Sequence, residues 1–323
     1  MNHLRTLRWV ALASFTLVAC GGPGGEDAGQ HDSGALDAGT LDAGRPDAGL
    51  KDAGVLDAGS DAGTPDAGTP DAGTPDAGRR QGIDVSIHTT LGLADDATPG
   101  DLRHWLVVKP QYVVSFDTQT KIPNWVAWQL TTDWEGDAGR CECWKTDPAV
   151  PMALQARNAS YDNSGYERGH MCPSEDRTAN PTDNEETFRM INAVPQLGTL
   201  NNGTWKQLET EGRQLAAAGK TVFVTSGPLR EWAFTLDAGP LIPSATWKVM
   251  VVLDHPGNAQ DVTEATRVIA VIMPNDGGTS GDWTGYRTSV REIESRTGLD
   301  LLSDVDASVQ AAIEVRVDDG GML

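Results

Sequence analysis

Basic residues are scarce in this 323-residue chain: 25 Lys and Arg stand against 46 Asp and Glu, a net charge of −21 at pH 7. From residue 81 onward the balance is 19 basic to 34 acidic, or −15. That balance excludes a protein that holds polyanions by bulk attraction, because phosphate backbones are gripped chiefly through Lys and Arg. Any hold on nucleic acid must run through a few local arginines and a cation. Long apolar runs are missing too. The run from Trp9 to Val18 is too short to cross a bilayer as a helix, and no later one is long enough. Cysteine is limited to four positions, and Cys141-x-Cys143 has no second Cys/His pair at zinc-like spacing. Gly-x-Ser-x-Gly, a phosphate-binding Gly-rich loop and His-Glu-x-x-His are all absent. Their absence removes the commonest motifs of α/β-hydrolases, P-loop NTPases and zinc proteases.

What is present falls into three parts. Residues 1–20 place Arg5 and Arg8 before the short apolar run and end Leu17-Val18-Ala19-Cys20, which resembles a bacterial lipobox. The expectation is a lipoprotein signal peptide, with lipid on Cys20 as the membrane anchor and the folded part exported to the cell envelope or surface. Residues 21–80 are dominated by Asp-Ala-Gly repeats, which have little to bury and cannot offset their ordering entropy. They read as a disordered tether. Residues 81–323 look globular and long enough for one sizeable core.

Within that part, β-branched and aromatic runs predict strands at 106–108, 112–116, 125–130, 222–225, 247–253 and 267–273, the last stopped by Pro274-Asn275. Helical patterns run from about Asn202 to Ala218, from near Thr288 to Gly298, and from Asp304 to Val315. Strands outnumber helices and do not alternate with them as βαβ units. The fold class is therefore α+β with a mainly antiparallel sheet.

Two constellations carry chemistry. In Gly165-Tyr166-Glu167-Arg168-Gly169-His170-Met171-Cys172-Pro173, a histidine suited to general-base work sits two residues from an arginine whose planar fork suits phosphate. Along a strand, Arg168 and His170 would share a face. Taken alone, His170 could equally be a hydrogen-bonded structural residue. In the second, Asn201, Trp205, Glu209 and Arg213 step by four and would share a slowly turning helix face. A carboxamide and a carboxylate are hard oxygen donors suited to Mg2+ and equally to Mn2+. His88, His104 and His255 have no companions at useful spacing, and Asp133, Asp137 and Asp147 read as solvated loop residues. Arg177 and Lys206 are candidates for lining a substrate groove.

Taken together, Glu167-Arg168-Gly169-His170, Pro173, Thr187-Phe188-Arg189-Met190-Ile191-Asn192-Ala193-Val194-Pro195-Gln196, Asn201 and Trp205-Lys206-Gln207-Leu208-Glu209 resemble, in order and spacing, the DNA/RNA non-specific endonuclease family of the ββα-metal superfamily. The outer blocks fit as well. These are Pro123-Asn124-Trp125-Val126, Trp144-Lys145-Thr146-Asp147-Pro148, Ile242-Pro243-Ser244-Ala245-Thr246-Trp247-Lys248 and Glu292–Leu299, all read as scaffold. The resemblance implies a ββα-metal core and hydrolysis of phosphodiester bonds in DNA and RNA with little sequence preference, leaving 5′-phosphate ends. It implies His170 as the base and Asn201 as the direct ligand of a magnesium ion. Glu209 would hold that ion through its waters and serve catalysis. Arg168 and Arg213 would act as catalytic phosphate contacts, and Asn192 would support the site and the substrate. An inhibitor protein would be needed wherever the producing cell is exposed to the activity.

Two positions depart from the family pattern. Glu167 stands where Asp is usual, and the arginine expected just before Trp144 is replaced by Glu142 and Cys143, with Arg140 slightly earlier. With Cys20 lipidated, one bridge is available to the three remaining thiols. Cys172 paired with Cys141 or Cys143 is the expectation, since the two regions flank the site. The competing reading is a lipid-anchored nucleic-acid-binding or surface adhesion protein with a degenerate nuclease site.

Overall fold

A computed structural model of the chain describes residues 86–320 apart from 232–233 and 237–238. The signal segment, Cys20 and the Asp-Ala-Gly repeats lie outside the described residues. The β-branched runs form strands β1 (Trp105–Val108), β2 (Val113–Asp117) and β3 (Ile122–Leu130). Two short strands follow, β4 (Glu167–His170) and β5 (Ala193–Gln196), then β6 (Thr221–Leu229), β7 (Phe234–Thr235), β8 (Leu241–Ile242), β9 (Ala245–Leu253), β10 (Arg267–Pro274) and β11 (Arg287–Thr288). Seven of them make one sheet in the order β1-β2-β3-β6-β9-β10-β11, with every neighbouring pair antiparallel. β4 pairs only with β5, and β7 with β8. The expected α+β class with a mainly antiparallel sheet is what the chain adopts.

Among the described residues four α-helices accompany the strands: α1 (Pro181–Thr187), α2 (Trp205–Ala217), α3 (Val290–Thr297) and α4 (Ala307–Ile313). Each has a local cause. Asn180 caps α1 by accepting from the Asp183 N–H, with Pro181 at the first helical position. Ser289 caps α3 and Gly298 ends it in the left-handed conformation at φ 74°. None of the described helices is long and apolar enough to cross a membrane.

Period-two alternation gives the large sheet two apolar faces, each with its own core. On β9, Met250 and Val252 enter the first core, while Trp247, Val249, Val251 and Leu253 enter the second. The first core unites Trp128 of β3 with Trp205 and Leu208 of α2, and with Met171 and Val194 from the β4–β5 ribbon. The second packs Val290, Ile293 and Ile313 of α3 and α4 against Trp125 and Phe223. Burying each Leu- or Ile-sized side chain contributes about 1.5–3 kcal/mol, so the two cores hold α2 and the ribbon on one face and α3 and α4 on the other. Every catalytic candidate from the sequence belongs to the first face or to the loops above it.

Candidate active site

The β4–β5 ribbon sets the first half of the site. Its register puts Gly169 opposite Val194 and His170 opposite Ala193. A Cβ on Gly169 would stand 1.9 Å from Gln196 Oε1, so glycine is required for the ribbon to close. His170, 7% exposed, is wedged between Trp144 and Phe188, with ring centroids 4.4 and 4.7 Å away. Its Nε2 is buried and has no hydrogen-bond partner among the described residues. Burial, helped by the Arg140 guanidinium, pulls its pKa down to about 3. The imidazole is therefore neutral across the physiological range, and in this state it is a weak base.

The neighbours of His170 are held rigidly. Asn192 is fully buried and clamps the chain just beyond it: the Cys172 N–H donates to Asn192 Oδ1 at 2.9 Å, and Asn192 Nδ2 donates to the carbonyls of Cys172 and Thr187, both at 2.9 Å. That amide is engaged by backbone at both its oxygen and its nitrogen, so Asn192 supports the chain that carries His170. Strand alternation puts Arg168 on the same side of the ribbon as His170. Its guanidinium sits 5.5 Å from the Tyr161 ring centroid and donates to Asn158, and Tyr161 and Trp144 belong to one small cluster beneath it.

The second half begins in a wide turn, Leu200–Thr204, that precedes α2. Gly203 breaks helical geometry there, so Asn201 lies ahead of the helix and not on the shared helical face that its spacing suggested. The Nδ2 groups of Asn201 and Asn202 both donate to Glu167 Oε2, at 2.7 and 2.8 Å. Asn201 Oδ1 makes no hydrogen bond among the described residues. Glu167 thus orients the proposed metal ligand, and its extra methylene relative to Asp is accommodated. The chain passes close by at Gly198, where a Cβ would stand 2.8 Å from Glu167 Oε1.

Glu209, on α2, meets the Lys248 ammonium at 3.6 Å. Lys248 is itself 2% exposed, and its Nζ lies 4.3 and 5.3 Å from the Trp205 and Trp128 ring centroids. For both members of this pair burial outweighs mutual attraction: Glu209 is pushed up to about 7 and Lys248 down. Arg213 is engaged by two carboxylates, Asp176 at 3.0 Å and Glu175 at 2.7 Å. Glu175 also reaches the exposed Lys206 at 3.2 Å.

Several expectations need correction. Cys172 is a buried free thiol and the bridge joins Cys141 to Cys143, whose Cα atoms are 5.2 Å apart. The reason is local. Glu142 adopts the left-handed conformation at φ 52°, which folds the chain back on itself, while Cys172 enters the first core. Arg177 does not line a groove. It is fully buried, donating to the carbonyls of Gln111, Gln129 and Asp176 and lying over the Trp134 ring. Asp147 is a buried partner of Lys109 at 2.7 Å, not a solvated loop residue. Arg140 does reach the site: it donates to Ser174 Oγ at 2.7 Å and lies 5.1 Å from the Phe188 centroid, beside His170.

The sequence model of the DNA/RNA non-specific endonuclease family matches residues 93–308. The chain belongs to this family. It is 41% identical to a nuclease from Nostoc sp. over 238 residues, which span 72% of this chain and 87% of that one. It is 31% identical to the nuclease of Serratia marcescens over 222 residues, 64% and 79% of the two chains. A solved complex of endonuclease G with its inhibitor superposes with a TM-score of 0.58 at 22% identity, covering 68% of this chain and 92% of that one, a likeness of fold. Membership makes the chain an endonuclease, a hydrolase of nucleic acids, and disfavours a purely adhesive or binding role.

In this endonuclease the donor set around Asn201 and Glu209 fits a hard cation. A free carboxamide oxygen is aimed by Glu167, and the nearly buried Glu209 carboxylate has the Lys248 ammonium at 3.6 Å and the Arg213 guanidinium within electrostatic reach. Lys248 was read as scaffold in the sequence. The signal that could have singled it out is a lysine inside the otherwise apolar run Trp247–Leu253.

Proposed function

We propose that the endonuclease hydrolyses phosphodiester bonds of DNA and RNA with His170 as general base and a magnesium ion held by Asn201 directly and by Glu209 through water. The observation that carries this reading is the neutral, buried His170 whose Nε2 has no partner among the described residues, a few residues along the ribbon from the Glu167–Asn201 pair. Such an ion, when bound, neutralises the phosphate and stabilises the leaving 3′ oxygen. His170 Nε2 takes a proton from the attacking water, while Trp144 and Phe188 hold the ring at fixed orientation. Arg168 and Arg140 contact the phosphate and offset the charge that develops on it. Arg213 joins them by exchanging Glu175 for a phosphate oxygen. Cleavage on the leaving 3′ side leaves 5′-phosphate ends. Contacts to phosphate and sugar carry no base information, which supports weak sequence preference.

Export and a lipid on Cys20 form part of the same reading. They are supported by the Leu17-Val18-Ala19-Cys20 ending and by the Cys141–Cys143 bridge, which suits an oxidising compartment. An inhibitor protein is the expected partner of any pool retained by the cell.

The test incubates the protein with supercoiled plasmid and with structured RNA, in magnesium, in manganese and in chelator, beside His170→Ala. Cutting of both substrates that chelator abolishes, and a loss of about 10²–10⁴-fold in His170→Ala, is the expected result. A folded protein that retards either substrate without cutting it in either metal would overturn the reading.

A further inference from the structure

On the second face of the sheet, remote in the fold from the His170 ribbon, three acidic side chains converge. Glu294, Asp300 and Glu314 each bring a carboxylate oxygen within 4.8 Å of the other two. They come from three places: the last turn of α3, the turn after it, and the residue that closes α4. The geometry is suggestive in itself, because two oxygens bound to one ion at about 2.4 Å can stand no more than about 4.8 Å apart. Acidic residues often cluster without purpose, so the decisive point is the state of Glu314. It is 2% exposed, and its Oε1 is buried without a hydrogen-bond partner. A buried, unsatisfied carboxylate oxygen is a costly arrangement that native folds avoid unless something binds it.

The surrounding charges sharpen the point. Arg291 meets Glu314 Oε2 at 2.6 Å, and Glu294 Oε1 accepts from the Leu301 N–H at 2.9 Å. With all three ionised, three carboxylates face one guanidinium, a surplus of two negative charges. Glu314 and Glu294 also stand at helix C-terminal ends, where the exposed carbonyls already make the potential negative and where acidic residues are disfavoured. Burial and the facing carboxylates of Glu294 and Asp300 push Glu314 up to about 7 against the pull of Arg291, and burial raises Glu294 as well. The backbone holds the group together. Arg291 N–H donates to the Glu314 carbonyl at 2.9 Å, and Asp300 N–H to the Ala94 carbonyl at 2.9 Å, so the acids cannot splay apart cheaply.

We propose that Glu294, Asp300 and Glu314 form a second cation site, distinct from the catalytic one, that takes a calcium-sized divalent ion and staples α3, the following turn and α4. Three carboxylates drawn from three separate elements suit the flexible, oxygen-rich shell of calcium better than the tight octahedron of magnesium. The surplus of two negative charges matches a divalent ion. The site serves the fold, since its members also fix the helices that close the second core.

The test compares the full chain with Asp300→Asn, an exposed and conservative change. Chelator-treated protein is equilibrated with radioactive calcium, and its thermal midpoint is followed through a calcium titration. The catalytic residues and the Asp-rich repeats are common to both chains, so only the difference between them reads the cluster. The expected difference is one calcium per chain. The parent gains about 5–10 °C at roughly 100-fold saturation, and Asp300→Asn loses most of that gain. Glu294→Gln behaves as Asp300→Asn does, and magnesium-dependent cutting by both variants stays within about twofold of the parent. Equal calcium uptake by the parent and Asp300→Asn would overturn the proposal. So would a calcium-independent rise in the midpoint of Glu314→Gln above pH 7, which would mean that the cluster shares a proton instead of an ion.

Discussion

At the scale of single residues, the site is a set of perturbed groups, and its pH behaviour follows from which of them titrates. His170 is held down to about 3 and stays neutral. Glu209 is held up to about 7, so in metal-free protein it carries a proton through the mildly acidic range. The sign is fixed by the direction of the shift. A carboxyl raised from 4.5 stabilises the fold in its protonated form below pH 4.5, and that contribution is lost as the pH climbs through 7. A cation must displace the same proton. Apparent metal affinity should therefore weaken progressively as the pH falls from about 7 toward 5, and raising magnesium should move the acid limb of activity to lower pH. An acid limb that does not respond to metal would assign it to another group. Lys248 acts on the same carboxylate. Replacing it with Met leaves Glu209 buried without its counter-ion, which should cost about 3–5 kcal/mol if the charge is kept or drive Glu209 to the neutral form if it is not. The second route lowers metal affinity at pH 7 by an expected tenfold or more, because the ion must displace the proton, whereas the first raises it, because the ion replaces the missing ammonium; the magnesium dependence of cutting reads which one holds. Lys248→Arg should reverse part of either change, whereas a merely space-filling lysine would show no metal effect.

At the scale of elements, the β4–β5 ribbon and the turn before α2 make the site, and both depend on glycine. Gly169→Ala sets a Cβ against the buried Gln196 side chain, whose Nε2 donates to Thr246 Oγ1 at 3.0 Å. The expected result is a loss of about 1–3 kcal/mol in stability from overpacking, together with a fall in kcat as His170 shifts between its two rings. Denaturant melts and steady-state kinetics read the two separately, and unchanged kcat would mean that the ribbon tolerates the displacement. These same elements mark the limit of what the sequence revealed. The long strands were legible because runs such as Val249-Met250-Val251-Val252 are apolar on both faces. α3 was legible through the stop at Gly298. β4 and β5 are four residues each, and neither Glu167-Arg168-Gly169-His170 nor Ala193-Val194-Pro195-Gln196 carries a run long enough to mark a strand. The motif named the candidate residues. It could not show that Glu167 aims Asn201, that Arg140 folds back to Phe188, or that Glu142 turns Cys141 onto Cys143, because each depends on where a loop lands. Arg177 and Asp147 were misjudged for a related reason: charged residues in loop-like sequence look solvated, and only the packed structure shows them buried, Arg177 against backbone carbonyls and Asp147 beside Lys109.

At the scale of the whole molecule, an acidic endonuclease must bind a polyanion. From residue 81 the charge is −15, and the positive groups at the site are few: Arg140, Arg168 and an Arg213 already shared with Asp176 and Glu175. Each phosphate neutralised contributes about −0.9 to the slope of log affinity against log salt on duplex DNA, so three arginines set a ceiling of about −3. The acidic surface works against even that. At low ionic strength it repels the incoming duplex, and modest salt should relieve this by screening before counter-ion release begins to weaken the complex. The expected profile of cutting against salt, at saturating magnesium and subsaturating DNA, is a shallow rise followed by a decline gentler than the cube of the salt concentration. His170→Ala, used as a binding-competent variant, should show the same slope in direct titrations. A much steeper slope would mean that residues beyond these three arginines grip the backbone, and the basic side chains elsewhere on the surface would become the place to look. A flat profile would mean that the cation and its few ligands carry substrate binding almost alone, which is the arrangement an acidic surface favours.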